Sequence, residues 1–449
     1  MRNSPDDRLF DNVIEALRSA KLLQARIALG LSGGVDSMVL LNLLASARGA
    51  HPVQIHALHI NHQISPRADQ WARLCAERCA ELSVAFQEVR VSVRPRGGES
   101  LEAIAREARY AHFRAQAVDA VALAHHMDDQ AETLLLQLLR GAGAHGVAAM
   151  PAVRVLNKQS GLKLIRPLLY VTRGDIEEYA RHHALRWIDD DSNADVKFDR
   201  NYLRHRVLPL IAERFPAYRQ TWMRASRNFA DLIDLAVEVA QADATDALQD
   251  GNLRIAALRE LTPPRARNLV RWHLAQQGFP MPGRERLDEA LRQLLQARPG
   301  AQPCVVLGPV QLARHRGQLL LMPTAPAPPA GWQIAWHGER ELDLPPGLGR
   351  LRLDVTTGAG LSQKLADQAG VLVRGRLGGD RMKLAPDRPS RTLKNLLQEA
   401  GIPHWQRDRI PLLCIGPDIA WVAGVGLDCR FEAQSGESAL QPHWEPTDR

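Results

Sequence analysis

Over its first two hundred residues the chain alternates short apolar runs with stretches whose apolar side chains recur at helical spacing. Few architectures accept that alternation. Residues 26–31, Arg-Ile-Ala-Leu-Gly-Leu, read as a buried strand. Residues 35–47 follow, with Val35, Met38, Val39, Leu41, Leu43 and Leu44 spaced for a helix. The pattern then repeats as strand 54–60, helix 66–82, strand 86–93, helix 100–118 with Ser100 as its N-cap, strand 121–124 and helix 127–140. Strands separated by helices pair in parallel, with the helices covering both faces of the sheet. The expected fold class is α/β, with a parallel-sheet domain at the N-terminal end.

Beyond that domain the pattern changes. Residues 140–151 are rich in Gly and Ala and read as a loop, 176–184 as a helix and 189–193 as a turn. Residues 216–298 look almost entirely helical, with Pro263-Pro264 and Pro280-Met281-Pro282 as turns, and 300–322 turn strand-like. The run Pro-Thr-Ala-Pro-Ala-Pro-Pro at 323–329 reads as a stiff linker, followed by short strands, turns and one helix near 393–400. A length of 449 residues exceeds one ordinary core. The expected domains are 1–215, a mainly helical 216–325, and a smaller mixed α+β domain at 330–449.

Composition excludes several classes. No run of 18 apolar residues exists, which argues against a membrane span, and the first residues lack the apolar core of a signal peptide. A cytoplasmic protein is expected. Cys75, Cys79, Cys304, Cys414 and Cys429 form an odd, scattered set, unlike a disulfide framework, and Cys75 and Cys79 read as two residues of one helix rather than a metal site. The net charge of +7 attracts polyanions, and it is concentrated. Residues 197–227 carry eight Lys/Arg against two Asp/Glu, and residues 374–409 carry nine against four. Two basic segments far apart in sequence suit contacts at two places on an extended anion.

The chemistry points to Ser32-Gly33-Gly34-Val35-Asp36-Ser37, between the first strand and the first helix of the alternation. Strand-to-helix loops at that end of an open sheet are where oxyanions bind. The glycines let backbone N–H groups approach phosphate, Ser32 and Ser37 add hydroxyl donors, and the helix contributes its positive end. Asp36 cannot favour bare phosphate, so a cation such as Mg²⁺ is its expected neighbour. The loop is neither a Walker loop nor a dinucleotide fingerprint. A second string, His125-His126-Met127-Asp128-Asp129-Gln130-Ala131-Glu132-Thr133, runs from the end of the fourth strand into a helix. Its Asp128 and Glu132, four apart, share a helix face. Arg106 and Arg109, three apart on the preceding helix, can point the same way.

Ser-Gly-Gly-Val-Asp-Ser resembles the PP-loop of the N-type ATP pyrophosphatases, which are adenine nucleotide alpha hydrolase-like in fold, and the His125–Thr133 string resembles their tRNA-modifying branch. Arg140-Gly141-Ala142-Gly143-Ala144-His145-Gly146, Arg166-Pro167-Leu168-Leu169, Asp190-Asp191-Ser192-Asn193 and Arg200-Asn201-Tyr202-Leu203-Arg204, in that order, resemble the tRNA(Ile)-lysidine synthetase family. Gly378-Gly379-Asp380-Arg381, Lys394-Asn395-Leu396-Leu397 and residues 403–411 resemble its C-terminal domain. The loop at 141–146 is a loose version of the family pattern.

The resemblance implies an ATP-dependent ligase. L-Lysine would be joined to C2 of the wobble cytidine of tRNA(Ile) with a CAU anticodon, through an adenylated cytidine, with release of AMP and pyrophosphate. Implied ATP contacts are Ser32, Gly33, Gly34, Val35, Asp36, Ser37 and His125. Implied catalytic residues are Asp36, Arg106, Arg109, His126, Asp128, Asp129 and Glu132, with Mg²⁺ near Asp36, Asp128 and Asp129, an arginine on phosphate, and His126 taking the proton of the lysine amine. Arg200, Asn201 and Arg204, and Arg381, Lys383, Arg391 and Lys394, are the expected tRNA contacts. A homodimer is left open. The alternatives are another PP-loop enzyme such as a tRNA thiolase, an amidotransferase-type synthetase, or a non-catalytic RNA-binding protein.

Overall fold

The computed structural model describes residues 5–92, 101–190, 194–298 and 300–447, and the chain divides by its internal contacts into two compact units, Met1–Leu235 and Ala236–Arg449.

The first unit is built on a six-stranded sheet: β1 (Arg26–Gly30), β2 (Gln54–Asn61), β3 (Ala85–Arg90), β4 (Ala120–Ala122), β5 (Val153–Asn157) and β6 (Leu162–Ile165). The strand order is β3-β2-β1-β4-β6-β5. All neighbours are parallel except β5, which returns antiparallel along β6 with Val153 opposite Ile165. The helices are α1 (Pro5–Ser19), α2 (Val35–Ala47), α3 (Ala68–Glu81), α4 (Leu101–Arg114), α5 (Met127–Leu139), α6 (Ala144–Val147), α7 (Arg173–His182), α8 (Asp199–Tyr202), α9 (Leu208–Arg214) and α10 (Tyr218–Ala247), with a π-helical turn at Leu203–Val207. Strand alternation decides which face each side chain serves. Ile27, Leu29, Ile55 and Ala57 pack with α1, α2 and α7, whereas Ala28, Leu58, Val121 and Leu164 pack with Tyr110 and Phe113 of α4. Helix α2 is buried nearly all round, which explains a sequence apolar on most of its turns rather than on one stripe.

The alternation read from sequence is present, with ends shifted by a few residues. The expected N-cap Ser100 and the turn residues Asp191, Ser192 and Asn193 lie outside the described residues. Three features were not expected. Helix α1 buries Leu9, Val13, Ile14 and Leu17. The β5–β6 hairpin adds an edge strand, and a short helix, α6, sits inside the Gly/Ala loop.

In the second unit the stretch expected to be helical is interrupted by a hairpin, Leu248–Gln249 with Asn252–Arg254, whose turn residues Asp250 and Gly251 both have positive φ. Helices Pro263–Gln276 and Arg284–Gln296 pack against a five-stranded antiparallel sheet completed by Cys304–Leu307, Val310–His315 and Gln318–Pro323. After the proline-rich segment, itself tied down by a hydrogen bond from Arg409 Nη1 to the Pro326 carbonyl (2.9 Å), antiparallel sheets of five and four strands share one apolar core.

Leu41 lies in the middle of α2 with no solvent exposure. Leu41→Ala is expected to cost about 2–5 kcal/mol of stability and to lower the thermal midpoint accordingly, as read by circular dichroism.

Candidate active site

The C-terminal edge of the parallel strands gathers the motif residues. After β1 the chain turns through Ser32–Gly34 into α2. Gly33 sits at φ +91°, and a Cβ there would meet Ile188 Cδ1 at 2.5 Å, so no side chain fits. The Gly33 carbonyl accepts a hydrogen bond from Ile188 N (2.9 Å), which ties the loop to the segment after α7. Ser37 Oγ donates to the Gly34 carbonyl (2.9 Å) and accepts from Gly33 N–H (3.1 Å), so the hydroxyl shapes the loop from inside. The exposed Ser32 Oγ lies 3.1 Å from it.

After β4, His126 and Asp129 cap α5 reciprocally. Asp129 N–H donates to His126 Nδ1 (3.4 Å) and His126 N–H donates to Asp129 Oδ2 (3.1 Å). An acceptor role for Nδ1 puts the ring proton on Nε2, which faces Asp129 Oδ2 at 3.4 Å and Asp36 Oδ1 at 3.6 Å. His126 was expected to receive a proton. In this geometry its one acceptor nitrogen already serves the cap, and the ring orients Asp36 and Asp129 instead.

Three further segments close on these carboxylates. Thr172 and Asp175 form a second capping box at the start of α7, and the first-turn N–H of Arg173 donates to Asp128 Oδ2 (2.9 Å). The Arg173 guanidinium bonds Asp36 Oδ2 (2.9 Å) and Glu177 (2.8 Å). Arg219, on α10, bonds Asp128 and lies over the Tyr218 ring. Glu132 is 1% exposed and is held by two guanidiniums, Arg200 Nε (2.7 Å) and Arg204 Nε (2.5 Å). Both arginines also reach Asp129 Oδ1, at 2.8 and 3.3 Å. Expected on a solvated basic face for RNA, Arg200 and Arg204 turn inward, because a carboxylate as buried as Glu132 needs cations beside it. Asn201 donates to the Asp195 carbonyl (3.0 Å). Arg173 and Arg219 escaped the reading of the sequence. The Thr-x-x-Asp of the α7 capping box was a legible signal for Arg173, whereas nothing local distinguishes Arg219.

The electrostatics follow. Burial raises the pKa of Asp36, against the opposing pull of His126 and Arg173. Burial also acts against charge on Asp129, but His126 and Arg200 overcome it and hold that carboxyl down at about 2. Burial pushes His125 down to about 3, so it stays neutral. Asp36 Oδ1 is buried without a hydrogen-bond partner, which leaves one hard oxygen able to meet a cation. The three carboxylates expected around Mg²⁺ do not converge. Among the described residues the one group with metal-ligand spacing is Asp6, His182 and His183, while Asp128 and Asp129 are engaged by arginines. Beside the carboxylates lies a cavity of about 650 Å³, walled by Glu132, Glu177, Asp189, Asp190, Arg204 and Arg219. Arg106 stands with its guanidinium 5.1 Å from the Tyr110 ring, and Arg109 is exposed near His62. Of the C-terminal residues, Lys394 lines a separate cavity of about 330 Å³ with Arg376, Gly378 and Gly379. Arg391 is paired with Glu399, Arg381 bonds the Ser390 carbonyl, and Lys383 N–H bonds Asp428.

These shifts set the pH dependence of stability. Below about 6.5 the unfolded chain gains a proton on His125 that the folded chain refuses until about pH 3, so stability is lost as pH falls from 6.5. The Asp129 contribution is present above the unfolded value of 3.8 and is lost only as pH falls from there toward 2. Unfolding stability is therefore expected to drop by about 1 kcal/mol between pH 6.5 and 5.5 on account of His125. His125→Asn should flatten that slope in urea titrations, and an unchanged slope would contradict the assignment.

Comparison with known proteins identifies the family. The PP-loop domain family matches residues 7–211, the TilS substrate binding domain residues 253–320, and the TilS substrate C-terminal domain residues 371–444. A tRNA(Ile)-lysidine synthase of Nitrosomonas europaea is 39% identical over 99% of this chain and 97% of its own. Proteins of the same description from Coxiella burnetii and Ralstonia nicotianae are 39% and 41% identical, covering 92% and 90% of this chain and 92% and 89% of their own. With relatives of that identity along nearly its whole length, the chain belongs to the tRNA(Ile)-lysidine synthase family.

Proposed function

We propose that the chain is an ATP-dependent ligase that joins L-lysine to C2 of the wobble cytidine in tRNA(Ile) with a CAU anticodon, releasing AMP and pyrophosphate. The observation that carries this reading is the juxtaposition of the Ser32–Ser37 nest with an acid-walled cavity at one sheet edge. A triphosphate suits the nest, where the first-turn N–H groups of α2 and the positive end of the helix meet an anion. Glu177, Asp189 and Asp190 give the cavity a wall that suits the ammonium groups of a basic amino acid.

The chemistry divides in two. Cytosine O2 attacks the α-phosphorus of ATP and pyrophosphate leaves toward the donors of the nest. The lysine ε-amine, deprotonated, then attacks C2, and AMP departs carrying the former O2. Adenylation converts a poor leaving group into a good one, and of the two α4 arginines Arg109 is proposed to meet the developing phosphate charge, Arg106 standing over the Tyr110 ring. Mg²⁺ carried by the triphosphate would be held by Asp36 Oδ1 and would offset phosphate charge there. His126 keeps Asp36 and Asp129 oriented, and the guanidiniums of Arg200 and Arg204 hold Glu132 in its buried place. The target base must leave its stack, which an anticodon loop permits. The basic segment 374–409, including Arg381, Lys383, Arg391 and Lys394, is proposed to hold the body of the tRNA through its phosphates, together with the exposed basic residues of 197–227. Cytoplasmic action follows from the substrate, and among the described residues no helix is long and apolar enough to cross a membrane.

The thiolase alternative is not favoured. Burial pushes the thiols of Cys75 and Cys79 up to about 12 and about 11, so neither is a ready nucleophile.

The test is mass analysis of tRNA nucleosides after incubation with ATP and labelled lysine. A cytidine carrying lysine less water is the expected product. Pyrophosphate release stimulated by sulfide or cysteine instead would indicate sulfur transfer, and no release with any substrate would indicate a binding module. Asp36→Asn is expected to lower lysine-dependent pyrophosphate release on the order of a hundredfold or more. Its thermal midpoint should hold, because the amide replaces a carboxylate that burial disfavours.

A further inference from the structure

Among the described residues, a group of arginines beside the site lacks an ion-pair partner. Arg166, at the end of β6, is 4% exposed. Its Nη1 donates to the Pro151 carbonyl (2.5 Å), but its Nε has no hydrogen-bond partner. Arg154 on β5 and Arg106 on α4 place their guanidiniums 5.2 and 5.1 Å from the centre of the same Tyr110 ring. The buried Tyr110 hydroxyl makes no close hydrogen bond, although it lies near enough to Arg166 to favour its charge. Among the described residues none of these three arginines makes an ion pair. Burial pulls Arg166 down to about 10, against the influence of Tyr110 and aided by Arg154 and Arg106. Elsewhere in this unit buried charge is matched closely, as at Glu132. Two guanidiniums over one ring, with the buried Arg166 beside its hydroxyl, therefore mark a place prepared for an anion from outside the chain.

The sheet order says which anion. Arg154 stands at the end of β5 opposite the carboxyl end of β6, so it lies on the ligand-binding edge. From β1, whose loop is the nest, β5 is three strand positions away in the order β1-β4-β6-β5. At about 4.8 Å per position that is roughly 14 Å, beyond the oxygens of a triphosphate seated in the nest. Arg154 is also exposed, on an edge strand open to an arriving chain. Planar guanidiniums suit phosphate because two N–H groups meet two oxygens.

We infer that Arg154, Arg166 and Arg106, with the Tyr110 hydroxyl, form a pocket for a backbone phosphodiester of the RNA strand that presents the target base. The inference rests on the RNA substrate proposed above. Its function is to fix register, so that the extruded base meets the nucleotide at the right depth.

The experiment compares the wild-type chain with Arg154→Ala and Arg154→Lys, using an unmodified tRNA(Ile) transcript with a CAU anticodon and, separately, ATP. Arg154 is exposed, so folding should hold, and thermal melts verify it. Arg154→Ala is expected to weaken tRNA binding about tenfold at moderate salt and to reduce the slope of log affinity against log salt by about one. ATP binding should be unchanged, and Arg154→Lys should restore the salt slope with part of the affinity. Unchanged tRNA affinity and slope in Arg154→Ala overturn the pocket, and so does a loss that falls on ATP. A wild-type chain that fails to bind the tRNA sinks the RNA reading itself, which the wild-type arm reveals on its own.

Discussion

Glu132 is the group on which the geometry of the site depends. A carboxylate this buried is costly unless cations are fixed against it, and Arg200 and Arg204 supply them from a segment some seventy residues further along the chain. The same guanidiniums reach Asp129, which caps α5 together with His126, which in turn faces Asp36 at the nest. Removing one partner from such a buried pair typically costs about 3–5 kcal/mol, because the other charge is stranded. The nest, the α5 cap and the π-helical turn at Leu203–Val207 therefore form one electrostatic unit, although they come from three regions of the sequence.

Much of this was legible beforehand because its signals are local. Strand-helix alternation is written in the spacing of apolar residues, and the nest and the acidic string are contiguous motifs. Other parts were legible but passed over. The apolar spacing of Leu9, Val13, Ile14 and Leu17 is an amphipathic stripe, and Asp250-Gly251 is a strong hairpin turn signal. The β5–β6 hairpin was harder, because Val153 and Val155 leave apolar side chains exposed on an edge strand and blur the inside-outside alternation. Arg200 and Arg204 could not have been placed from sequence. Arginines at helical spacing look alike whether they face water or a buried carboxylate, and only the tertiary partner decides.

Several residues serve structure and chemistry together. His126 and Asp129 finish the helix that carries the other acidic groups, and Thr172 and Asp175 aim the first N–H of α7 at Asp128. Such caps put polar groups at helix starts without loops of their own, which keeps the acidic groups on the stiffest part of the fold. The cysteines show the opposite case. Cys75 and Cys79 are conspicuous in the sequence, yet Cys75 packs against Gly33 of the nest and Cys79 lies in the same apolar core, both as small apolar groups.

The bond from Ile188 N to the Gly33 carbonyl, and the Ile188 methyl lying where a Cβ at 33 would be, mean that the nest borrows part of its shape from a segment far along the chain. Residue 188 is aliphatic and has no chemistry to offer a nucleotide. Even so, its volume and backbone position are part of the mould in which the phosphates are received. Variation there would act as hidden epistasis, altering how a change in the glycine loop is tolerated while leaving every recognisable motif intact.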